Sequence, residues 1–276
     1  MSTLLRQGEF WAGLALLLLA LLPVLLGPLW TGAGAAEMFS AIPNLAPSLD
    51  HPFGTQSEGR DMLALMAKAV PASLAIGLVG GGTALLAGGF LGLVAGYYGG
   101  AIDAVVRVVS DVGLTIPPLA ILILVGAAFP SVSVTAMGLV IAATIWMSTA
   151  RVVRAQTLTL RERGYIQVAR LSGAGHGRII AFDILPNLLP FLGACFVNGV
   201  TVSILSSIGL EMLGLGPGQS KTLGSIVYEA ITHAAMWKGL WWWWGPPVAV
   251  MVAIFLGLFL LSLALDALAD PRRARA

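Results

Sequence analysis

An all-α, polytopic membrane protein with six transmembrane helices is the fold class that this sequence predicts, and three observations predict it. Hydrophobic residues make up 58% of the 276-residue chain and charged residues only 10%, with a mean hydropathy of +0.91, whereas soluble domains carry about 25% charged residues. The few charges bracket uncharged runs of the length a helix needs, ~20 residues for ~30 Å of hydrocarbon. The arginines are shared unequally between the segments joining those runs, as orientation in a membrane requires. Backbone in lipid must satisfy its own hydrogen bonds, which favours helices, and no alternating strand pattern competes.

The elements follow from the charges. Trp11 to Trp30 is uncharged and aromatic at both ends, which suits interfacial anchoring. A cleaved leader over 1–36 is the rival reading, with Arg6 as its basic region and Ala33-Gly34-Ala35 as a cleavage-like triplet; the apolar run is longer than the ~7–15 residues of a leader core. Lys68 to Asp103 encloses the second span. The 39 uncharged residues between Asp111 and Arg151 are too many for one span and divide at Pro130-Ser131-Val132-Ser133, giving a third near 104–128 and a fourth near 134–152. Asp183 to Glu211 encloses the fifth, and Lys238 to Asp266 the sixth. An even count puts both termini on one side. The segments on that side hold Arg6, Arg107, six arginines in the 151–187 loop, and Arg272, Arg273 and Arg275. The opposite segments hold Arg60, Lys68, Lys221 and Lys238, balanced by acids. The arginine-rich side is therefore cytoplasmic, with both termini on it. The chain divides into 1–70, a first helix with an outer segment, and 71–276, a core of five helices carrying the cytoplasmic loop at 151–187.

Within the spans, Gly77 and Gly81, then Gly88, Gly92, Gly96 and Gly100, recur every four residues and predict a face for close helix packing. Asp103, Arg107 and Asp111 stand at i, i+4 and i+8, so they are expected to pair along one helix face. A sharper reading places Asp111 toward a substrate cavity. Pro117-Pro118 predicts a kink. Trp237 and Trp241 to Trp244 predict an interfacial belt at the outer end of the sixth span.

Several chemistries are excluded. Cys195 is alone, so there is no internal disulfide and no thiolate metal set. His51, His176 and His233 lack metal spacing. Gly214 to Thr222 imitates a phosphate loop, but Ser220 rather than glycine precedes Lys221, no strand is near, and the segment faces outward. No nucleophile–base pair emerges. The expectation is a non-enzyme that binds no cofactor or metal of its own and has no nucleic-acid partner, only membrane lipid and other proteins.

The 151–187 loop is the longest polar stretch. Thr159 to Leu171 reads as one helix, Gly173-Ala174-Gly175 as its breaker, and Gly177 to Ile184 as a second short helix ended by Leu185-Pro186-Asn187, where Pro186 can open the fifth span. Such a helix–turn–helix projects a small apolar ridge framed by arginines, a docking element for another protein or a loop held on anionic headgroups.

These residues resemble a known family. Ile166 to Asn187, IQVARLSGAGHGRIIAFDILPN, is similar to the EAA loop of bacterial ABC importer permeases, with Gln167-Val168-Ala169 at the first triplet, Gly173 at the glycine and Leu185-Pro186 at the close. HPFGTQSEGRDML (51–63), GLVAGYYGG (92–100), LEMLGLG (210–216) and LDALADPR (265–272) resemble further segments of the peptide/nickel-type subfamily, in order. The resemblance implies the type I ABC importer permease fold in a bacterial or archaeal plasma membrane. It implies a second homologous permease subunit, two cytoplasmic ABC ATPases that hold ATP and Mg, and an extracytoplasmic solute-binding protein. It also implies that Gly173 sets a turn and that Ala174 to Ile180, including Gly175, His176, Arg178 and Ile179, form the coupling helix, with Gln167, Ala169, Arg170, Leu185 and Pro186 completing the ATPase contact. Di- or oligopeptides are the implied cargo, and an oligosaccharide importer of the same architecture is the alternative. A stand-alone secondary carrier or channel is the reading from another class. Two departures stand out: Gln167 lacks the usual carboxylate, and Ser207 replaces a usual Glu, with Glu211 one turn on. Asp111, Asn198, Ser207 and Glu211 are the expected translocation-path residues.

Overall fold

A computed structural model describes residues 8–32, 34–129, 132–218 and 220–269. Arg6, Ala33, Pro130, Ser131 and the arginines of the tail lie outside the described residues. The helices are α1 (Gly8–Ala20), α2 (Leu22–Trp30), α3 (Met62–Tyr98), α4 (Gly100–Thr115), α5 (Pro118–Ala128), α6 (Val134–Arg161), α7 (Gly164–Leu171), α8 (His176–Arg178), α9 (Leu185–Glu211), α10 (Leu223–Thr232) and α11 (Trp241–Ala269). Five stretches are long and apolar enough to cross a membrane: 8–30, 62–98, 134–161, 176–211 and 241–267.

The third predicted span needs correction. Residues 104–128 are not one kinked helix: α4 and α5 meet at 76°. Pro118 opens α5, and Pro117 before it holds φ −58 and ψ 120, outside the helical range. Two adjacent prolines remove two amide donors and disfavour helix in the residue ahead of each. Ile116 is accordingly extended and caps α4 by donating to the Gly113 carbonyl.

α3 is the axis of the bundle, flanked by α6 and α9. Lipid tails are as apolar as leucine, so helices associate in a membrane through close packing of small residues. The glycine stripe provides this at two levels. A Cβ on Gly88 would lie 2.3 Å from the Trp146 carbonyl of α6, and one on Gly92 2.5 Å from the Ala150 carbonyl. A turn or two earlier, a Cβ on Gly81 would lie 2.4 Å from the Val200 amide of α9. Gly100 departs from the expected stripe: α3 stops at Tyr98, and Gly100 opens α4 with φ +59. α1 runs along α11 and meets it at Gly13 and Gly257, where each glycine's Cβ would touch the other's carbonyl at 2.9–3.0 Å.

The segment 51–61 caps the start of α3. Asp61 accepts from the Ala64 amide at 2.9 Å, satisfying a free helix N–H, and faces His51 Nδ1 at 2.7 Å. The HPFGTQSEGRD stretch (51–61) is therefore a structural clasp. Trp242 fastens it further, donating from Nε1 to the Thr55 carbonyl at 3.2 Å.

Two further expectations change. Asp103 and Asp111 do not pair along α4: Asp103 binds Arg154 of α6, with Nη2 to Oδ2 at 2.7 Å, and Asp111 binds Arg151 at 2.6 Å. The two arginines stand three apart on α6, so the pairs join helices rather than bracing one. The tryptophan belt is also only partial. Four consecutive helical residues point ~100° apart and cannot share a face; Trp237 and Trp241 are exposed, while Trp243 is 0% exposed within the core formed by α3, α9, α10 and α11.

Candidate functional site

The segment joining α6 to α9 is built outward from the end of α3. α6 continues past its predicted end to Arg161. The single helix expected over Thr159 to Leu171 is interrupted at Glu162 and Arg163, where Arg163 adopts extended backbone at the start of α7. Glu162 lies outside the regular helix with ψ near 0, so the chain turns there. α7 ends in a Schellman arrangement. The Ala174 amide donates to the Ala169 carbonyl at 3.1 Å and the Gly173 amide to the Arg170 carbonyl at 3.0 Å. Gly173 holds φ +79, the left-handed conformation this cap needs and that a side chain resists.

The coupling helix expected from Ala174 begins at His176, behind Gly175 at the N-cap. It does not stop at Leu185-Pro186-Asn187. Ile179–Ile184 widens into a π segment that leads straight into α9. Pro186 has no N–H, and its ring would crowd the carbonyl four residues back. Widening the register, with the Leu185 amide reaching Ile180 five residues back, admits the proline without breaking the rod. The short helix and the fifth span are one 36-residue body, 176–211.

The inner face is apolar. Ile166, Ile179 and Ile184 are fully buried against Tyr97 at the end of α3, with Ala169, Ala174 and Ile180 around them. Polar bonds converge on the same tyrosine: its hydroxyl lies 2.9 Å from His176 Nδ1, and its carbonyl accepts from Arg161 at 3.1 Å. The outer face carries Leu171, 89% exposed, Phe182, 75% exposed, and Val168, among exposed Gln167, Arg170 and Arg178. A cleft of about 510 Å³ lies between α7 and the π segment, lined by Ala169, Ser172, Ala174, Arg178, Phe182 and Asp183. Leu185 and Pro186 sit where the rod leaves this face. Apolar side chains of this size, exposed and ringed by guanidinium groups, suit a protein partner.

The expected translocation-path residues are not gathered at one place. Asn198 borders a cavity of about 140 Å³ between α6 and α9, with Ser148, Thr149 and Cys195. Asp111 is in its half-exposed pair with Arg151. Ser207 and Glu211 are both buried, the serine hydroxyl donating to the carboxylate at 2.5 Å. Glu211 is hemmed in by Gly224, where a Cβ would lie 2.1 Å from its Oε2, and by Gly216. Among the described residues no three His, Cys, Asp or Glu side chains group as a metal set. At the end of the Gly214-to-Thr222 stretch, Thr222 closes a capping box on α10, and Lys221 pairs with Glu229. Sequence reasoning passed over Tyr97 and Arg161. Tyr97 was legible only as part of a family-like string, because its partners lie 64 and 79 residues away.

Comparison with known proteins agrees with this architecture. Residues 88–275 match the family described as binding-protein-dependent transport system inner membrane component. A protein of Brucella suis biovar 1 (strain 1330), provisionally named a peptide transport system permease protein, is 32% identical over 98% of this chain and 90% of its own length. The oligopeptide transport system permease protein OppC of Lactococcus lactis subsp. cremoris (strain SK11) is 29% identical over 83% of this chain and 79% of its own. With a family match over most of its length and a helical bundle apolar enough for several spans, the chain belongs to the inner-membrane permease components of binding-protein-dependent transport systems.

Proposed function

We propose that this chain is one of two permease subunits of an ATP-driven importer of di- or oligopeptides, and that residues 164–184 are its contact with a cytoplasmic ATPase. The observation that supports this most directly is the two-faced loop. Its inner face is locked onto α3 through Tyr97, Ile166, Ile179 and Ile184, while its outer face leaves Leu171 and Phe182 exposed beside an open cleft. ATP binding can move a transport path only through contacts that differ between two states. A rod continuous from His176 to Glu211 is mechanically suited to carry such contacts inward.

On this reading the loop end of the bundle and both termini are cytoplasmic. ATP and Mg reside on two partner ATPases, a second homologous permease completes the pathway, and a solute-binding protein delivers cargo at the opposite end. Gln167, Ala169, Arg170, Gly173, Ala174, Gly175, His176, Arg178, Ile179, Leu185 and Pro186 form or shape the ATPase contact. Asn198, with Ser148 and Thr149, contributes polar groups to the path; Asp111 supports it by holding α4 to α6, while Glu211, bonded to Ser207 one turn back in α9, packs against Gly224 of α10. Peptide as cargo rests on the names of the relatives. The test is purification of the tagged chain in mild detergent from its native membrane, followed by mass spectrometry. A second permease and ATPases bearing true phosphate loops are the expected companions. A chain that purifies alone and moves solute in vesicles without ATP would establish a carrier instead.

A further inference from the structure

We propose that Tyr97 is the positioning residue that conveys movement of the loop to the spans, an inference that rests on the ATPase-docking reading above. Three separate pieces of the loop meet this one side chain and its carbonyl. Arg161, at the end of α6, donates to the Tyr97 carbonyl at 3.1 Å. Arg170, in α7, lies over the phenol ring at 5.6 Å from its centroid. His176, the first residue of the rod, faces the hydroxyl at 2.9 Å, and its ring meets the phenol edge-on at 5.7 Å. Tyr97 is itself 3% exposed and sits among Ile166, Ile179 and Ile184. Any displacement of α7 or of the start of the rod must therefore move Tyr97 or break its contacts.

What lies behind Tyr97 makes that displacement useful. It is the penultimate residue of α3, whose glycines touch the backbones of both α6 and α9. Packed backbones separated by no side chain have little slack, so a shift of α3 is passed on rather than absorbed. α6 and α9 are the two walls of the cavity bordered by Ser148, Thr149, Cys195 and Asn198. The route runs from loop to Tyr97, to α3, to the cavity walls. Tyr98 next to it also faces the His176 ring, at 5.9 Å, but it is half exposed and lies outside the cluster of the loop's isoleucines, so Tyr97 is the buried member of the pair.

Cys195, the single cysteine of the chain, borders that cavity and supplies the readout. In the complete detergent-purified complex, the maleimide labelling rate of Cys195, followed by mass spectrometry of its own peptide, is compared with and without ATP and Mg. The unchanged complex is expected to show at least a threefold difference. Tyr97→Ala, still co-purifying with the ATPases, is expected to lose that difference. Tyr97→Phe keeps the ring for Arg170 and His176 and the carbonyl for Arg161, and should retain most of it. A Tyr97→Ala complex with the full nucleotide response overturns the proposal. If Tyr97→Ala does not assemble, Tyr97→Leu takes its place, filling the space among the isoleucines while losing the hydroxyl for His176 and the ring for Arg170; an undiminished response there overturns the proposal equally, and a lost one upholds it. No ATPase in the unchanged complex, or no response to ATP in it, removes the docking reading itself and the proposal with it.

Discussion

The interior of α3 and the loop beyond α6 are both rich in glycine, and glycine does opposite work in the two. Along α3 a Cβ at Gly81, Gly88 or Gly92 would stand 2.3–2.5 Å from the backbone of a neighbouring helix. At Gly164, Gly173, Gly175 and Gly177 of the loop nothing lies within 4 Å. In the spans glycine is a statement about space: removing side chains lets backbones touch, which replaces the hydrophobic drive that lipid cannot supply. In the loop it is a statement about the backbone, and only Gly173 needs a conformation that other residues resist. The same residue type therefore marks the most rigid contact in one region and a surface kept open in the other.

Four substitutions would break or sharpen this contrast. Gly88→Leu should have the largest effect. α3 and α6 must part to admit the side chain, at a cost above about 3 kcal/mol; the expected result is loss of monodisperse protein on size-exclusion chromatography, and a normally folded variant would refute the space-limited reading. Arg154→Ala comes next, since it strands the mostly buried carboxylate of Asp103 at the α4–α6 contact. A loss of about 2 kcal/mol is expected, read as a lowered Tm in detergent, with Asp103→Asn returning part of it in the double variant. Gly173→Val has all the space it wants, yet a β-branched residue at φ +79 is strained by about 1–2 kcal/mol. Its expected signature is more ATP consumed per solute moved, or weakened assembly with the ATPases, and wild-type coupling would count against the turn's role. Gly177→Ala, in open space at negative φ inside the first turn of the rod, should change little. A gain below about 1 kcal/mol is expected, and a Tm lowered by several degrees would reveal an unseen constraint in the loop.

Much of this molecule is readable without coordinates. The places and order of five of the spans follow from where charges fall, because hydrocarbon excludes them and a helix needs a set length to cross. The positions of the loop and its turn at Gly173 follow from arginine content and from a break in the pattern, and the close α3 packing follows from glycine at four-residue intervals. These features are local or one-dimensional, and each is governed by solvent or by the conformation of a single residue.

Features that needed the folded chain involve choices between partners. Asp103 and Asp111 had Arg107 within reach on their own helix, yet they bind Arg154 and Arg151, because α4 lies against α6 at that depth and a pair across the contact also joins the helices. Trp243 went inward because a helix turns ~100° per residue, and which of four tryptophans meets the core depends on where α3 and α10 stand. Pro186 read as the end of one helix and the opening of the next; it does open α9, and the π register joins the two into one rod. Tyr97 looked like one aromatic among several. Composition, hydropathy and spacing decide which segments leave water and how long they are, since those are properties of each segment and its solvent. Which side chain meets which across 40 to 79 positions of sequence is a property of packing in three dimensions, and only the assembled bundle decides it.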